Sequence, residues 1–138
     1  MPLQPTALSH EWTTLQNNYE QYERSALLVK LAAVVLCVCG FALAMPYELT
    51  GGIALLLWVQ ESIYRTYQSR LGERLLRVEA LVQRGAPATN ACQLHTEWLA
   101  GRKGSLGLLS EYLSHALRPT VAFPYAVLVL AELVAYLG

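Results

Sequence analysis

One apolar run, residues 26–45, constrains the fold of this chain more than any other feature. The run reads ALLVKLAAVVLCVCGFALAM and contains one charged residue, Lys30. An α-helix rises about 1.5 Å per residue, so a run of this length matches the roughly 30 Å hydrocarbon core of a bilayer. The run therefore predicts a first membrane-spanning helix at 26–45.

A second span is predicted at 47–63, where an uncharged stretch of only eleven residues, 49–59, follows a short turn. This stretch reaches bilayer length only if Glu48 and Glu61 lie at opposite membrane interfaces. The two spans then form a transmembrane hairpin over 26–64. A re-entrant or interfacial helix is the alternative for this segment.

A third span is predicted at 119–138, an apolar stretch that ends the sequence given and has Glu132 as its only charge. Pro119 suits the first turn of a helix, where its missing N–H costs nothing. Pro124 lies further in and is expected to kink or loosen the helix.

An amphipathic helical hairpin is predicted between the second and third spans, over 65–118, with a break at 84–90. On its first arm apolar residues recur at helical spacing, while Arg70, Glu73, Arg74 and Arg77 fall on the other side. Such a stripe needs a partner surface. We expect contact with another copy or another protein along Tyr67, Leu71, Leu75, Val78 and Val82, and through Trp98 of the second arm.

Three shorter features complete the helical pattern. Residues 1–25 form an N-terminal amphipathic helix that continues into the first span. Asn90, followed three residues later by Gln93, resembles a capping arrangement that opens the second arm. Three glycines within 101–107 are expected to bend or interrupt that arm.

Membrane orientation follows from the basic residues. The segment 61–118 holds eight of the ten, namely Arg65, Arg70, Arg74, Arg77, Arg84, Arg102, Lys103 and Arg118. Basic loops stay in the cytoplasm, so 61–118 and the N-terminus are predicted to be cytoplasmic and the C-terminus to face the other side. The bacterial inner membrane is the expected location.

The segment 101–107, GRKGSLG, matches neither a Walker loop nor a nucleophile elbow. A plain turn is one interpretation. The other is a basic turn held against anionic lipid headgroups through Arg102 and Lys103, with Arg118 nearby.

Glu132 is the main candidate for an intramembrane function or a role in assembly. A carboxylate inside an apolar helix is energetically costly unless it is paired, protonated or in contact with water. A protonated Glu132, or one that reaches the interface, is the alternative. Lys30 is a partner by charge, but the two are expected at different depths. Lys30 is therefore predicted to extend to the cytoplasmic interface.

Composition narrows the function classes. The formal net charge is zero, with ten basic and ten acidic residues, which argues against a whole-chain nucleic-acid binder. No catalytic triad, paired carboxylates, dinucleotide fingerprint or complete metal-ligand set is written in the sequence. We expect no enzymatic activity, no cofactor and no metal.

The sequence as a whole predicts an all-α membrane protein with three transmembrane helices and a cytoplasmic helical hairpin. Its expected role is a non-enzymatic subunit or scaffold of a membrane complex, with the lipid bilayer and a homo-oligomer or larger membrane protein as partners. The layout, with Arg118 and Pro119 where the third span begins, loosely resembles small phage-type or gene-transfer holins. That resemblance carries no functional residues across. The alternative function, a homo-oligomeric pore or channel with Glu132 in its path, follows from the carboxylate itself, since a ring of Glu132 side chains in assembled copies would line a cation path.

Overall fold

The computed structural model describes residues 6–138, and all regular secondary structure in that range is helical. This confirms the predicted helical class. The helices are α1 (Ala7–Ala42), α2 (Tyr47–Gln83), α3 (Leu94–Ala100), α4 (Ser105–Ala116) and α5 (Pro119–Leu137), with a 3-10 turn at Ala88–Asn90. The first five residues of the predicted N-terminal helix 1–25 lie outside the described range.

Two long helices, α1 and α2, form an antiparallel hairpin. Thr6 caps α1, since its Oγ1 accepts a hydrogen bond from the Ser9 amide at 3.3 Å. The connection at 43–46 is closed by the Met45 amide, which donates to the Gly40 carbonyl at 2.9 Å. Each helix is continuous, so α1 joins the N-terminal helix to the segment 26–42 and α2 joins 47–63 to the first arm of the predicted hairpin.

The tight turn sets the register of this hairpin. Residues equally far from the Met45–Pro46 bond face one another along its length. Lys30 Nζ lies 3.0 Å from Glu61 Oε1. Further along, Gln68 Nε2 donates to Glu23 at 2.6 Å. The hairpin therefore brings polar groups that are distant in sequence to matching heights.

An apolar core joins the outer halves of α1 and α2. Leu8 and Leu15 of α1 pack with Leu71, Leu75 and Val78 of α2. Fully burying such a side chain contributes about 1.5–3 kcal/mol. The central part of the stripe predicted to contact another copy or protein is thus covered by α1 of the same chain, which leaves its flanks, Tyr67 and Val82, exposed.

Two of the described helices, α1 and α5, are long and apolar enough to cross a bilayer. Helix α2, which contains the predicted second span 47–63, is not one of them. It lies against both, since α5 packs on α2 and more lightly on α1. Large apolar side chains on these helices face outward, among them Leu28, Phe41, Leu56, Phe123 and Val134.

The segment between α2 and α3 differs from the expected capping arrangement. Gln93 is the N-cap of α3 but makes no side-chain capping hydrogen bond, and Asn90 ends the 3-10 turn. Cys92 adopts a positive φ of 60° between them, which redirects the chain. The Asn90–Gln93 capping prediction is wrong because the backbone bends between the two residues.

The glycine-bearing segment interrupts the second arm as predicted. Helix α3 ends at Ala100 and α4 begins at Ser105, with residues 101–104 between them. Gly107 lies inside the first turns of α4, where a Cβ atom would meet the Lys103 side chain at 2.5 Å. The absence of a side chain there lets Lys103 fold back over α4.

Candidate functional site

The first polar site is a buried ion cluster formed by Glu23, Lys30, Glu61, Arg65 and Gln68. The side chain of Glu61 is fully buried, with Lys30 Nζ at 3.0 Å and Arg65 Nε at 3.5 Å. Lys30 also donates to the Thr120 carbonyl of α5 at 2.8 Å. Lys30 thus contacts Glu61 and α5, and its predicted extension to the cytoplasmic interface stays a prediction.

Within this cluster, Arg65 and Gln68 stabilise the charged form of Glu23. Arg65 Nη1 and Gln68 Nε2 donate to Glu23 Oε2 at 2.8 and 2.6 Å. These hydrogen bonds, first from Arg65 and then from Gln68, lower the pKa of Glu23. The ion cluster is paired within the chain, and it joins α1, α2 and α5.

Trp58 holds α5 against α2 next to the ion cluster. Its indole Nε1 donates to the Ala116 carbonyl at 3.0 Å. Its ring stacks on the buried Tyr125 ring, with centroids 6.0 Å apart and planes 4° from parallel. The end of α4 and the start of α5 therefore lie at the height of Trp58.

The second polar site is a basic groove of about 400 Å³ between α2, α3 and α4. Six basic side chains line it against three acidic ones, Glu73, Glu97 and Glu111. The basic residues are Arg70, Arg74, Arg77, Arg102, Lys103 and Arg118. All three residues predicted to contact lipid headgroups, Arg102, Lys103 and Arg118, are brought together here.

Arg74 is the structural centre of the groove wall, with a side chain only 2% exposed. It donates to Glu11 of α1 at 2.9 and 3.1 Å, to Glu97 of α3 at 2.7 Å and to the Asn90 carbonyl at 2.9 Å. Burial opposes its charge, but hydrogen bonds and attraction from Glu11 and Glu97 outweigh burial and raise the pKa of Arg74. One guanidinium thus joins α1, α2 and α3.

Aromatic rings orient two further arginines of the groove. The guanidinium groups of Arg70 and Arg102 lie 5.2 and 5.6 Å from the Trp98 ring centroid, and Arg70 is also 5.4 Å from that of Tyr67. Trp98, predicted to contact another copy or protein, therefore lies in the groove of its own chain.

The positive charges of the groove are unequally neutralised. Arg70 and Lys103 both pair with Glu111, at 3.3 and 3.5 Å. Within residues 6–138, Arg102 and Arg118 form no ion pair. Two cations therefore remain available to an anion at the groove.

His115 of α4 also lines the groove and is 6% exposed. Its Nδ1 atom is buried and has no hydrogen-bond partner within the described chain. Burial lowers the pKa of His115, and the charge of Arg118 lowers it further. At neutral pH the ring is therefore uncharged, with an unused polar atom beside the groove.

The third site surrounds Glu132 on α5, whose side chain is nine-tenths buried. It lines a mostly apolar groove of about 230 Å³ together with Cys37, Val38, Phe41, Leu128, Ala131 and Ala135. Across residues 6–138 its carboxylate makes no ion pair and no side-chain hydrogen bond, and Lys30 is committed to Glu61. We call this site the Glu132 groove.

No protein-family model, curated protein or solved structure matches this chain. The functional assignment therefore depends on the three sites themselves. The charges of the ion cluster pair within the chain, since Glu61 lies between Lys30 and Arg65, although both Glu61 carboxylate oxygens and Arg65 Nε have no hydrogen-bond partner in the described residues. The basic groove and the Glu132 groove contain polar groups that the described chain leaves without partners, and these two are the candidate functional sites.

Several residues of these sites were not identified from the sequence, among them Glu61, Arg65, Arg74 and His115. For Glu61 a signal existed, since Lys30 and Glu61 are equally far from the turn at Met45–Pro46. For His115 the only signal was its spacing of four from Glu111, which does not indicate burial. Arg74 was assigned to the polar side of its helix, and nothing in its spacing indicates Glu11 or Glu97 as partners.

Proposed function

We propose that this chain is an integral membrane protein with three spans that acts, without enzymatic turnover, as a subunit or scaffold of a membrane complex. The supporting observation is the Glu132 groove. It contains Glu132, a largely buried residue whose carboxylate makes no ion pair or hydrogen bond in the described chain, on a helix apolar enough to cross a bilayer. Such a site favours association with another transmembrane helix.

Support for a third span comes from the position of α2 beside the two apolar helices. A Cβ atom on Gly51 of α2 would lie 3.9 Å from the Glu132 Cβ of α5, and Trp58 of α2 stacks on Tyr125 of α5. Near the turn, Gly40 of α1 contacts Thr50 of α2. If α1 and α5 cross the bilayer, the segment 47–63 crosses beside them.

The proposed second span is slightly shorter than the hydrocarbon core of a typical bilayer. The segment 47–63 is about 25 Å long as a helix, and its outward side chains are apolar, namely Leu49, Leu55, Leu56 and Val59. A small shortfall against a core of about 30 Å is accommodated by local thinning of the bilayer. We propose the bacterial inner membrane, with 61–118 and the N-terminus cytoplasmic and the C-terminus opposite.

The chemistry of the Glu132 groove suits helix association. A protonated carboxyl both donates and accepts hydrogen bonds, so it can bond across to a neighbouring helix. Ala131 and Ala135, one turn apart, are small residues that allow close approach of another backbone. The partner helix is a second copy or part of a larger membrane protein.

The same carboxylate supports a second candidate function, a homo-oligomeric pore. In a closed ring of copies, Glu132 side chains facing a central path would attract cations.

Substitution of Glu132 tests both functions. We expect Glu132→Leu to weaken assembly roughly three- to twentyfold, since an interhelical hydrogen bond in membranes contributes about 0.6–1.7 kcal/mol. Glu132→Gln keeps a hydrogen-bonding side chain and is expected to assemble like the wild type. Glu48→Gln, an exposed glutamate at the start of α2, is the matched control.

Native mass spectrometry of the gently solubilised protein gives copy number and co-purifying chains together. A closed homo-oligomer whose cation flux in liposomes falls in Glu132→Gln supports the pore. A fixed ratio with a larger protein, or an oligomer without flux, supports the subunit. Unchanged assembly in Glu132→Leu contradicts both.

A further inference from the structure

The basic groove contains a positively charged site that the chain does not neutralise. Arg102 and Arg118 form no ion pair within residues 6–138, and Lys103 lies beside them at 3.5 Å from the shared Glu111. Arginine presents a planar fork of donors that suits the oxygens of carboxylates and phosphates. The open end of the groove therefore favours an anionic group with several acceptor oxygens.

A buried histidine adds a second, independent indication of a ligand. His115 is more than nine-tenths buried, lines the groove, and has an Nδ1 atom with no hydrogen-bond partner in the described chain. Buried polar atoms are nearly always paired in proteins. Because His115 lines the groove, a ligand bound there would complete the surroundings of this residue.

The surroundings of the groove identify the source of the anion. Helix α4 turns Glu111, Tyr112 and His115 toward the groove. Its outer face carries four exposed leucines at spacings of three, four and four, namely Leu106, Leu109, Leu113 and Leu117. An unpartnered apolar outer face of this kind is suited to the acyl boundary of a membrane interface.

The depth of the groove agrees with this placement. Arg118 immediately precedes α5, one of the two helices apolar enough to cross a bilayer. Trp58, whose indole donates to the Ala116 carbonyl at the end of α4, is typical of the headgroup level. The groove thus opens where lipid phosphates lie.

We propose that the basic groove binds the phosphate group of an anionic lipid headgroup, through Arg102, Lys103 and Arg118, with His115 as an additional hydrogen-bond donor. The leucines of α4 then lie in the same leaflet as the lipid's acyl chains. This inference rests on the proposed membrane location, but it does not depend on assembly through Glu132.

Native mass spectrometry of the full chain in detergent, with added phosphatidylglycerol, tests the proposal. The test variant is Arg102→Gln/Arg118→Gln. The matched control is Arg24→Gln/Arg84→Gln, which removes two exposed arginines that line neither groove and form no ion pair in the described chain. Two further ligands serve as controls. Phosphatidylcholine carries a phosphate group but no net charge, and inorganic phosphate carries the anionic group without a lipid.

We expect the wild type to bind phosphatidylglycerol and the test variant to bind it at least about tenfold more weakly, because each lost cation near a membrane surface weakens the attraction. The control is expected to stay within about twofold of the wild type. If the double variant does not fold, Arg102→Glu alone gives the same comparison, since Arg102 is exposed.

Three results would overturn the proposal. They are equal phosphatidylglycerol binding by the test variant and the wild type, equal binding of phosphatidylcholine, or binding of inorganic phosphate without any binding of phosphatidylglycerol. The copy number in the same spectra separates this inference from the proposed function. If the test variant loses lipid but keeps its copy number, the basic groove acts independently of assembly. If Glu132→Leu loses assembly but keeps its lipid, the Glu132 groove acts independently of lipid binding.

Discussion

Replacing Arg74 with methionine is expected to lower the free energy of unfolding by about 3–5 kcal/mol. The change leaves Glu11, whose side chain is 8% exposed, without its ion-pair partner, while Glu97 keeps Arg77. It also removes the donor to the Asn90 carbonyl. Unfolding of the detergent-solubilised protein by denaturant, followed by circular dichroism at the helix bands, measures the effect.

Arg77 provides the matched control, because it binds the same carboxylate of Glu97 at 2.7 Å on the same helix but is 56% exposed. Exposed ion pairs contribute about 0–1 kcal/mol, so Arg77→Met is expected to stay within that range. If Arg74→Met and Arg77→Met lower the free energy of unfolding equally, burial of Arg74 does not determine how much its ion pairs stabilise the fold.

Replacing Glu61 with methionine is expected to lower the free energy of unfolding by about 3 kcal/mol or more, because Lys30 loses its ion-pair partner in a largely buried position. The loss also weakens the link to α5 that Lys30 makes through the Thr120 carbonyl. The same denaturant titration measures it, with Glu48→Met as an exposed control on the same helix.

A second variant separates the charge effect from the change in packing. Lys30→Met/Glu61→Met removes both charges, while Arg65 retains Glu23 as its partner at 2.8 Å. We expect the double variant to be more stable than Glu61→Met alone, since the energies of contacting residues are not additive. A double variant as unstable as the sum of the two single losses would show that the pair is not coupled.

Helices and their breaks were predictable from this sequence because they depend on local patterns. The apolar runs at 26–45 and 119–138 and the break at 84–90 come from composition and from glycine and proline positions. The glycine-bearing interruption before Ser105 follows for the same reason. The prediction that Asn90 caps the next helix was wrong because Cys92 adopts a left-handed backbone conformation, which is rare for a non-glycine residue.

The polar sites were predictable only where one short turn fixes the register. Lys30 and Glu61 could have been paired from their equal distance to the Met45–Pro46 bond. Arg74 could not, because its contact with Glu97 depends on the path of residues 84–93 between α2 and α3. The sequence places Arg70, Arg74 and Arg77 on the polar side of α2, and in the structure this side forms a wall of the basic groove.

The chain's own cysteines allow a direct test of the proposed three-span topology. Cys92 is exposed, while Cys37 and Cys39 lie in the proposed first span. We expect a membrane-impermeant maleimide to label Cys92 in inverted inner-membrane vesicles and not in intact spheroplasts. A cysteine introduced by Gly138→Cys in a Cys92→Ser background is expected to show the opposite pattern. Labelling of Cys92 from outside, or of both positions from the same side, would contradict the three-span arrangement.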